Sequence, residues 1–445
     1  MKISVVGCGY VGLITGVSFA ETGNQVIGVD IDENKINLLN EGGSPIYEPG
    51  LPELLIKNLK EKKIYFTSNI KKAVEESEII FIAVGTPSDH NGNSDLSALV
   101  GVAEDIGRYM NEKKIVVVKS TVPVGSTQMV SRTIRAALQT RKVEFPLALI
   151  SNPEFLREGS ALEDCLHPAR IVIGSTDQDA KKVMQRLYAP FCPNGTDNII
   201  FMDFASAELS KYAANAFLAT KISFINEMSL LAEKVGADIE NLRLGIGSDP
   251  RIGSQFLFAG LGYGGPCLPK DIRSLLKIGQ DCGQDLSVVR AVESANGKQR
   301  KAFVAKVTGH FGDRLEGRRL AVWGVSFKPG TDDLREAPSL EILDSLLKKG
   351  AGLHCFDPIA LHNAQKKISG HVQFFDDPYQ ALRGCDALLI LTEWELFHQP
   401  DFTRMKQNLR TPLIFDGRNI YHPQRLKALG FDYRCMGRPQ QGTRE

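Results

Sequence analysis

One stretch concentrates groups able to do covalent chemistry: Gly262, Tyr263, Gly264, Gly265, Pro266, Cys267, Leu268, Pro269, Lys270 and Asp271. Glycines let a backbone turn tightly and come close to a ligand. A thiolate is the strongest nucleophile among ordinary side chains, and nearby positive charge favours it over the thiol. Asp271, four residues after the cysteine, is spaced to hold or activate a water. The plainer reading makes Cys267 a small buried hydrophobe in a turn, the usual role of a free cysteine. The front of the chain shifts the balance towards chemistry.

There, residues 2–6 read as a buried strand that runs into Gly7, Cys8, Gly9, Tyr10, Val11 and Gly12, a G-x-G-x-x-G turn. A helix-like segment over residues 13–21 and a second strand over residues 25–29 follow, and Asp30 closes that strand 18 positions after Gly12. Strand, glycine turn, helix, strand and acid form the dinucleotide fingerprint. The glycines admit a pyrophosphate onto the helix N-terminus. Asp30 is placed to accept from the adenosine ribose hydroxyls, and its charge repels a 2′-phosphate, so NAD is expected rather than NADP.

Such a cofactor half needs a parallel sheet, and more strands come at α/β spacing: residues 78–84, 114–119, 147–151, 170–174 and 198–202. Ligands of a doubly wound sheet lie beyond the carboxyl ends of its strands. Thr86, Thr121, Glu154 and Glu158 follow such ends and together form an expected polar rim, although each alone reads more readily as a loop residue or cap. Residues 89–94 read as a turn-rich loop without assignable chemistry. A long helix follows, capped by Asp203 or Ser206 and ending near Val235 before Gly236. Leu209, Tyr212, Ala213, Ala216, Thr220, Phe224, Met228, Leu231 and Val235 recur at three and four, which predicts a core-facing stripe joining domains or sealing a dimer. Lys211 and Asn215 lie one turn apart, either as solvated polar groups or as a pair able to move a proton and hold an oxyanion. Arg251 is suited to a phosphate.

The last third repeats the order of the first: strand and glycine turn over 318–325, a strand with terminal acid over 352–357, and a buried strand over 387–392. It lacks G-x-G-x-x-G. With Lys328, Arg335 and Arg418 near its turns it suits a nucleoside diphosphate, or is a purely structural α/β domain. After Tyr433 the tail reads as polar and frayed. The expected fold is therefore α/β, with two Rossmann-like doubly wound domains joined by a long central helix and a helical middle domain. The expected divisions are 1–203, 204–305 and 306–445.

Composition agrees with a soluble globular protein: of 445 residues, 43% are hydrophobic and 24% charged. A net charge of +1 gives no electrostatic case for nucleic acid or an anionic membrane. The eight cysteines are scattered without C-x-x-C, so neither a zinc site nor a disulfide framework is expected. No apolar run is long enough to span a bilayer, and the chain opens on a strand pattern rather than a signal segment, so a reducing cytoplasm is the expected location.

Taken together, these residues resemble the UDP-glucose/GDP-mannose dehydrogenase family of nucleotide-sugar dehydrogenases. The likeness spans Gly7 to Arg418 and is most specific at Asn152, Pro153, Glu154, Phe155, Leu156, Arg157 and Glu158, at Lys211 with Asn215, and at the run from Gly264 to Asp271. The family oxidises a sugar primary alcohol to a carboxylate with two NAD. The resemblance implies that Cys267 attacks the intermediate aldehyde, giving a thiohemiacetal and then a thioester that water hydrolyses. It assigns proton transfer and oxyanion stabilisation to Lys211, with Asn215 as second donor, and water activation to Asp271 and Glu154 beside Thr121. It implies cofactor contacts at Gly7, Cys8, Gly9, Tyr10, Val11, Gly12, Asp30, Lys35, Thr86, Thr121, Glu158, Lys270 and Arg335. It implies sugar-nucleotide contacts at Glu154, Phe155, Leu156, Arg157, Glu158, Lys211, Asn215, Phe256, Leu257, Phe258, Ala259, Gly260, Gly264, Lys328 and Arg418. Arg251 resembles an arginine that reaches a neighbouring subunit's substrate, implying a homodimer or larger homo-oligomer. No metal is implied.

One departure stands out. Pro266 precedes the cysteine where the family commonly has serine, which removes a backbone N–H and a hydroxyl. The run from Arg251 to Gly260 and the Asp416, Gly417, Arg418 ending favour the UDP-glucose branch over GDP-mannose or another nucleotide-sugar 6-dehydrogenase. A two-domain hydroxyacid dehydrogenase needs neither Cys267 nor a third domain. A non-catalytic nucleotide-sugar sensor has no use for Lys211, Cys267 and Asp271.

Overall fold

The computed structural model describes residues 1–89, 91–193 and 195–439, and the chain divides into two compact units, Met1–Ala214 and Asn215–Glu445. Among the described residues the first unit carries an eight-stranded sheet. Its strands are β1 (Lys2–Val6), β2 (Gln25–Val29), β3 (Ile64–Thr67), β4 (Ile79–Ile82), β5 (Lys114–Val118), β6 (Leu147–Ser151), β7 (Ile171–Gly174) and β8 (Ile199–Met202). They are ordered β3-β2-β1-β4-β5-β6-β7-β8, parallel except where β7 meets β6 antiparallel. β3, not anticipated from sequence, is short and half exposed, and so lacks the continuous apolar run of the central strands.

Alternate residues of the central strands feed two separate cores, as the pleat requires. Ile3, Val5, Ile79, Phe81, Ile115 and Val117 pack on one face, and Val6, Ile80, Ile82, Val116 and Val118 on the other. Phe81 is fully buried, its ring 5.0 Å from that of Phe19 on the helix Tyr10–Glu21. Phe81→Ala is therefore expected to cost about 3–5 kcal/mol of stability, read from urea unfolding. A loss under about 1 kcal/mol would contradict this packing.

The second unit carries a six-stranded parallel sheet ordered β11-β10-β9-β12-β13-β14. These strands are β9 (Arg319–Trp323), β10 (Gly352–Phe356), β11 (Val372–Phe374), β12 (Ala387–Ile390), β13 (Leu413–Asp416) and β14 (Asp432–Cys435). Leu320 and Val322 face one core, Ala321 and Trp323 the other. Of the tail expected to fray after Tyr433, Arg434 and Cys435 instead continue the strand β14, paired along β13. Residues 440–445 and His90 of the 89–94 loop lie outside the described residues.

The long helix spans Phe204–Val235, capped by Asp203, whose carboxylate accepts from Ser206 N–H at 2.8 Å. The core-facing reading of its apolar stripe is corrected, while the dimer-sealing alternative is not contradicted. Leu209, Phe224, Leu231 and Val235 are exposed, as is Phe217, and only Tyr212 and Ala216 of the expected stripe are fully buried. The buried face instead carries Glu208, Lys211, Asn215, Ser223, Asn226 and Ser229. Each of these residues has a partner within the fold, which offsets the cost of burying it, although the Asn226 Nδ2 itself is buried without an acceptor. Among the described residues no helix is long and apolar enough to cross a membrane.

Candidate active site

In the first unit, β1 runs directly into the glycine turn. Gly7 has φ +99°, and a Cβ on Gly12 would lie 1.8 Å from the Gly7 carbonyl oxygen, so the turn and helix close only with glycine at both positions. A Cβ on Gly9 would meet nothing within 4 Å, which leaves the helix N-terminus open to an approaching group. This is the cradle a diphosphate needs. Asp30, just past β2, accepts from Cys8 N–H at 2.9 Å and from Asp32 N–H at 3.1 Å, and pairs with Lys35 at 2.8 Å. Burial pushes the Asp30 carboxyl up, but Lys35 and the two backbone N–H groups outweigh it and hold it below the usual aspartate range. The Cys8 thiol is turned into the core and pushed up to about 12, chiefly by burial, so only its backbone borders the turn. Val11 continues the first helical turn. The Thr86 hydroxyl donates to the Thr121 carbonyl at 2.6 Å, which joins the loops after β4 and β5.

The loop after β6 begins at Asn152. Its Nδ2 donates to the Val172 carbonyl at 2.8 Å, and its Oδ1 accepts from Tyr188 at 2.5 Å and from the buried Lys119 at 3.2 Å. Two residues on, Glu154 is buried and paired with Lys211 at 2.8 Å, and its other oxygen accepts from Leu156 N–H at 2.6 Å. Burial alone would raise the Glu154 carboxyl. Lys211, the Leu156 N–H and Lys119 together hold it below the usual range, so it is a carboxylate at neutral pH. Burial lowers Lys119. The Phe155 ring faces the Arg170 guanidinium at 3.9 Å and the Lys211 ammonium at 5.5 Å. Arg157 forms a fork with Asp164. Glu208, on the helix that carries Lys211, accepts from Gly125 N–H at 2.6 Å and Thr127 N–H at 2.7 Å, fixing the loop that follows Thr121.

In the second unit, Cys267 is the N-cap of the helix Leu268–Asp281 and is partly exposed. A helix N-terminus favours negative charge, which suits a thiolate. Asp271, one turn on and buried, accepts from Asn215 at 2.6 Å and pairs with Lys270 at 2.7 Å. Close packing dictates the preceding glycines: a Cβ on Gly264 would stand 2.3 Å from the Glu336 carbonyl oxygen, and Gly265, at φ +85°, lies under the Phe327 ring. Pro266 thus enters a bend already shaped by its neighbours.

Gly260 is gripped on both sides, its N–H by Asn226 at 2.8 Å and its carbonyl by Gln299 at 2.7 Å. In the same run Leu257 and Ala259 are buried and Phe258 is exposed beneath the Arg243 guanidinium. Phe256 has φ +63°, an uncommon conformation for a residue with a side chain. Arg251 is held by Asp249, and Arg335 by Asp333. The Lys328 ammonium lies 5.4 Å from the Phe327 ring centre. Arg418 donates to the carbonyls of Leu391 and Phe327 at 2.8 and 3.2 Å and meets Glu393 at 3.1 Å, so it binds three loops at the strand ends together. Asp357, the counterpart of Asp30, is buried under the N–H groups of Val325, Ser326, Ile359 and Ala360. Its oxygens are committed to the fold, consistent with a domain lacking the dinucleotide fingerprint.

Sequence reasoning missed Glu48, Lys119, Glu208, Asn226 and Gln299. Glu208 and Asn226 share the three- and four-residue spacing of Lys211 and Asn215, a polar stripe as regular as the apolar one.

Comparison with known proteins gives a consistent result. Three descriptions of the UDP-glucose/GDP-mannose dehydrogenase family match in succession: its NAD binding domain over residues 1–192, its central domain over 205–298 and its UDP binding domain over 321–423. A UDP-glucose 6-dehydrogenase of Pseudomonas aeruginosa is 46% identical, covering 99% of this chain and 98% of that protein. One of Rhizobium meliloti is 44% identical, covering 99% and 100%. Among solved structures, a UDP-glucose dehydrogenase from Pyrobaculum islandicum superposes with a TM-score of 0.88 at 36% identity, covering 97% and 96% of the two chains. A GDP-mannose dehydrogenase from Pseudomonas aeruginosa gives a TM-score of 0.54 at 29% identity, covering 98% and 99%.

Proposed function

The chain belongs to the UDP-glucose/GDP-mannose dehydrogenase family, and we propose that it converts UDP-glucose, two NAD+ and one water to UDP-glucuronate and two NADH. The observation that carries the reading is Cys267 at a helix N-terminus with the buried Asp271 one turn behind it, held by Asn215 and Lys270. Oxidising an alcohol to an acid requires an aldehyde to be retained and given a second hydride to lose, and an added thiol does this.

NAD supplies the hydride acceptor for both oxidations. The residues that would hold it are Gly7, Gly9 and Gly12 at the diphosphate, Asp30 with Lys35 at the adenosine ribose, and Thr86, Thr121, Glu158, Lys270 and Arg335 elsewhere along it. Lys211 and Asn215 donate to the sugar C6 oxygen as it gains charge, and Lys211 relays its proton. The Cys267 sulfur adds to the aldehyde carbon. After the second hydride has left, Asp271 and Glu154 direct water to the thioester, and the C–S bond breaks to free the thiolate. Phe155, Leu156, Arg157, the run from Phe256 to Gly260, Gly264, Lys328 and Arg418 hold the nucleotide sugar.

With NAD, the purified enzyme is expected to form NADH from UDP-glucose far faster than from GDP-mannose or UDP-N-acetylmannosamine. Equal or faster turnover of GDP-mannose would reject the substrate assignment. Asp30→Ala is expected to weaken NADH binding by about tenfold or more in a fluorescence titration, because it removes a charged hydrogen-bond acceptor and also frees the Cys8 N–H. An unchanged affinity would contradict the placement of the ribose at Asp30.

A second copy of the chain covers the exposed Leu209, Phe217, Phe224, Leu231 and Val235 of the long helix, and Arg251 reaches that copy's substrate. The enzyme works in the cytoplasm, where its thiol stays reduced.

A further inference from the structure

Glu48 belongs to none of the motifs that mark the site, yet it is buried and its carboxylate joins two of the segments that do. One oxygen accepts from the Tyr10 hydroxyl and from Gly159 N–H at 2.7 Å. The other accepts from Leu162 N–H at 3.1 Å. The Gly159 N–H is shared, lying also 2.8 Å from the Tyr10 oxygen. Tyr10 is the first residue of the helix that follows the glycine turn, so its side chain moves with that turn. Gly159, at φ +76°, closes the loop that contains Glu154 and Glu158. The loop's other end is fixed where Asn152 N–H donates to the Val118 carbonyl at 2.9 Å.

We propose that Glu48 is a positioning residue that couples the cofactor turn to the sugar-binding loop: it fastens Gly159 to Tyr10, so that ordering either segment orders the other. The proposal rests on the functional reading above, in which the glycine turn takes NAD and residues 154–158 meet the nucleotide sugar. A buried carboxylate is a costly way to join two segments unless each of its oxygens is used, and here both are. Tyr10 gives the joint its direction, since its hydroxyl bonds Glu48 while its backbone starts the helix. By reciprocity, a ligand on one segment then tightens binding at the other.

The test is a linkage measurement on the full-length enzyme. UDP-glucose affinity is measured by calorimetry with and without saturating NADH, a pair that cannot turn over. The unaltered enzyme is expected to bind UDP-glucose about fivefold or more tightly with NADH present. Glu48→Gln keeps the volume but replaces one acceptor oxygen by an NH2, and Tyr10→Phe removes only the hydroxyl. Each is expected to bring the ratio close to one; Tyr10→Phe should leave the melting temperature near that of the unaltered protein, whereas Glu48→Gln should lower it, because its NH2 faces a buried backbone N–H. If Glu48→Gln does not fold, Tyr10→Phe decides. A ratio preserved in the folded variants, or a ratio of one in the unaltered enzyme, overturns the coupling. Failure of the unaltered enzyme to bind NADH or UDP-glucose at all overturns the functional reading instead.

Discussion

Cys267→Ser is expected to abolish full turnover, lowering the rate of UDP-glucuronate formation by at least about a thousandfold. A serine hydroxyl is close in size to the thiol but stays protonated at neutral pH, and no helix terminus brings it within reach of ionisation as it does a thiol. The first oxidation does not use the sulfur, so the variant is expected to release at most one NADH per enzyme-bound sugar, slowly. Because Cys267 is an N-cap and serine is a favoured one, the helix Leu268–Asp281 should keep its stability. Rapid-mixing absorbance at the NADH band separates the two phases. A variant that forms UDP-glucuronate at the unaltered rate would remove the thioester from the mechanism.

Lys211→Met is expected to lower kcat by about a thousandfold, within the range spanned by general acid–base and oxyanion groups. It should also destabilise the fold, because Glu154 stays buried when its 2.8 Å partner is gone. The usual cost of such a broken pair is about 3–5 kcal/mol, moderated here by Lys119. The pH dependence separates the two effects. In the unaltered protein the folded Glu154 carboxyl lies below its unfolded range, so its contribution is complete above that range and is lost as pH falls through the lowered value. In Lys211→Met burial is opposed only by Lys119 and the Leu156 N–H, and the Glu154 carboxyl rises. The stability gap between the two proteins is therefore expected to be widest near neutral pH and to narrow in the acid range, where the variant buries a neutral carboxyl. The double change Lys211→Met with Glu154→Gln should recover much of the melting temperature and none of the activity. Recovery of activity would leave Lys211 a purely structural lysine.

The parts of this protein that were legible from sequence are those where backbone chemistry admits few alternatives. The turn from Gly7 to Gly12 closes only with glycine at positions 7 and 12, and the buried strands are apolar on both faces, so their places along the chain and the acid after β2 could be read directly. The long helix was harder. It carries an apolar and a polar stripe of the same period, and burying the apolar one is the ordinary choice. The structure buries Glu208, Lys211, Asn215 and Asn226 instead, because each meets a hydrogen-bond partner that lies far away in sequence. Glu48 was invisible for the same reason: Tyr10 and Gly159 stand 38 and 111 positions from it, and no local pattern joins them.

The central chemistry of this enzyme is the removal of four electrons at one sugar carbon. The most direct test is the number of NADH formed per UDP-glucose consumed at completion, with NAD in excess. The arrangement around Cys267 predicts two. One NADH per UDP-glucose, with an aldehyde as the accumulated product, would contradict a covalent role for Cys267.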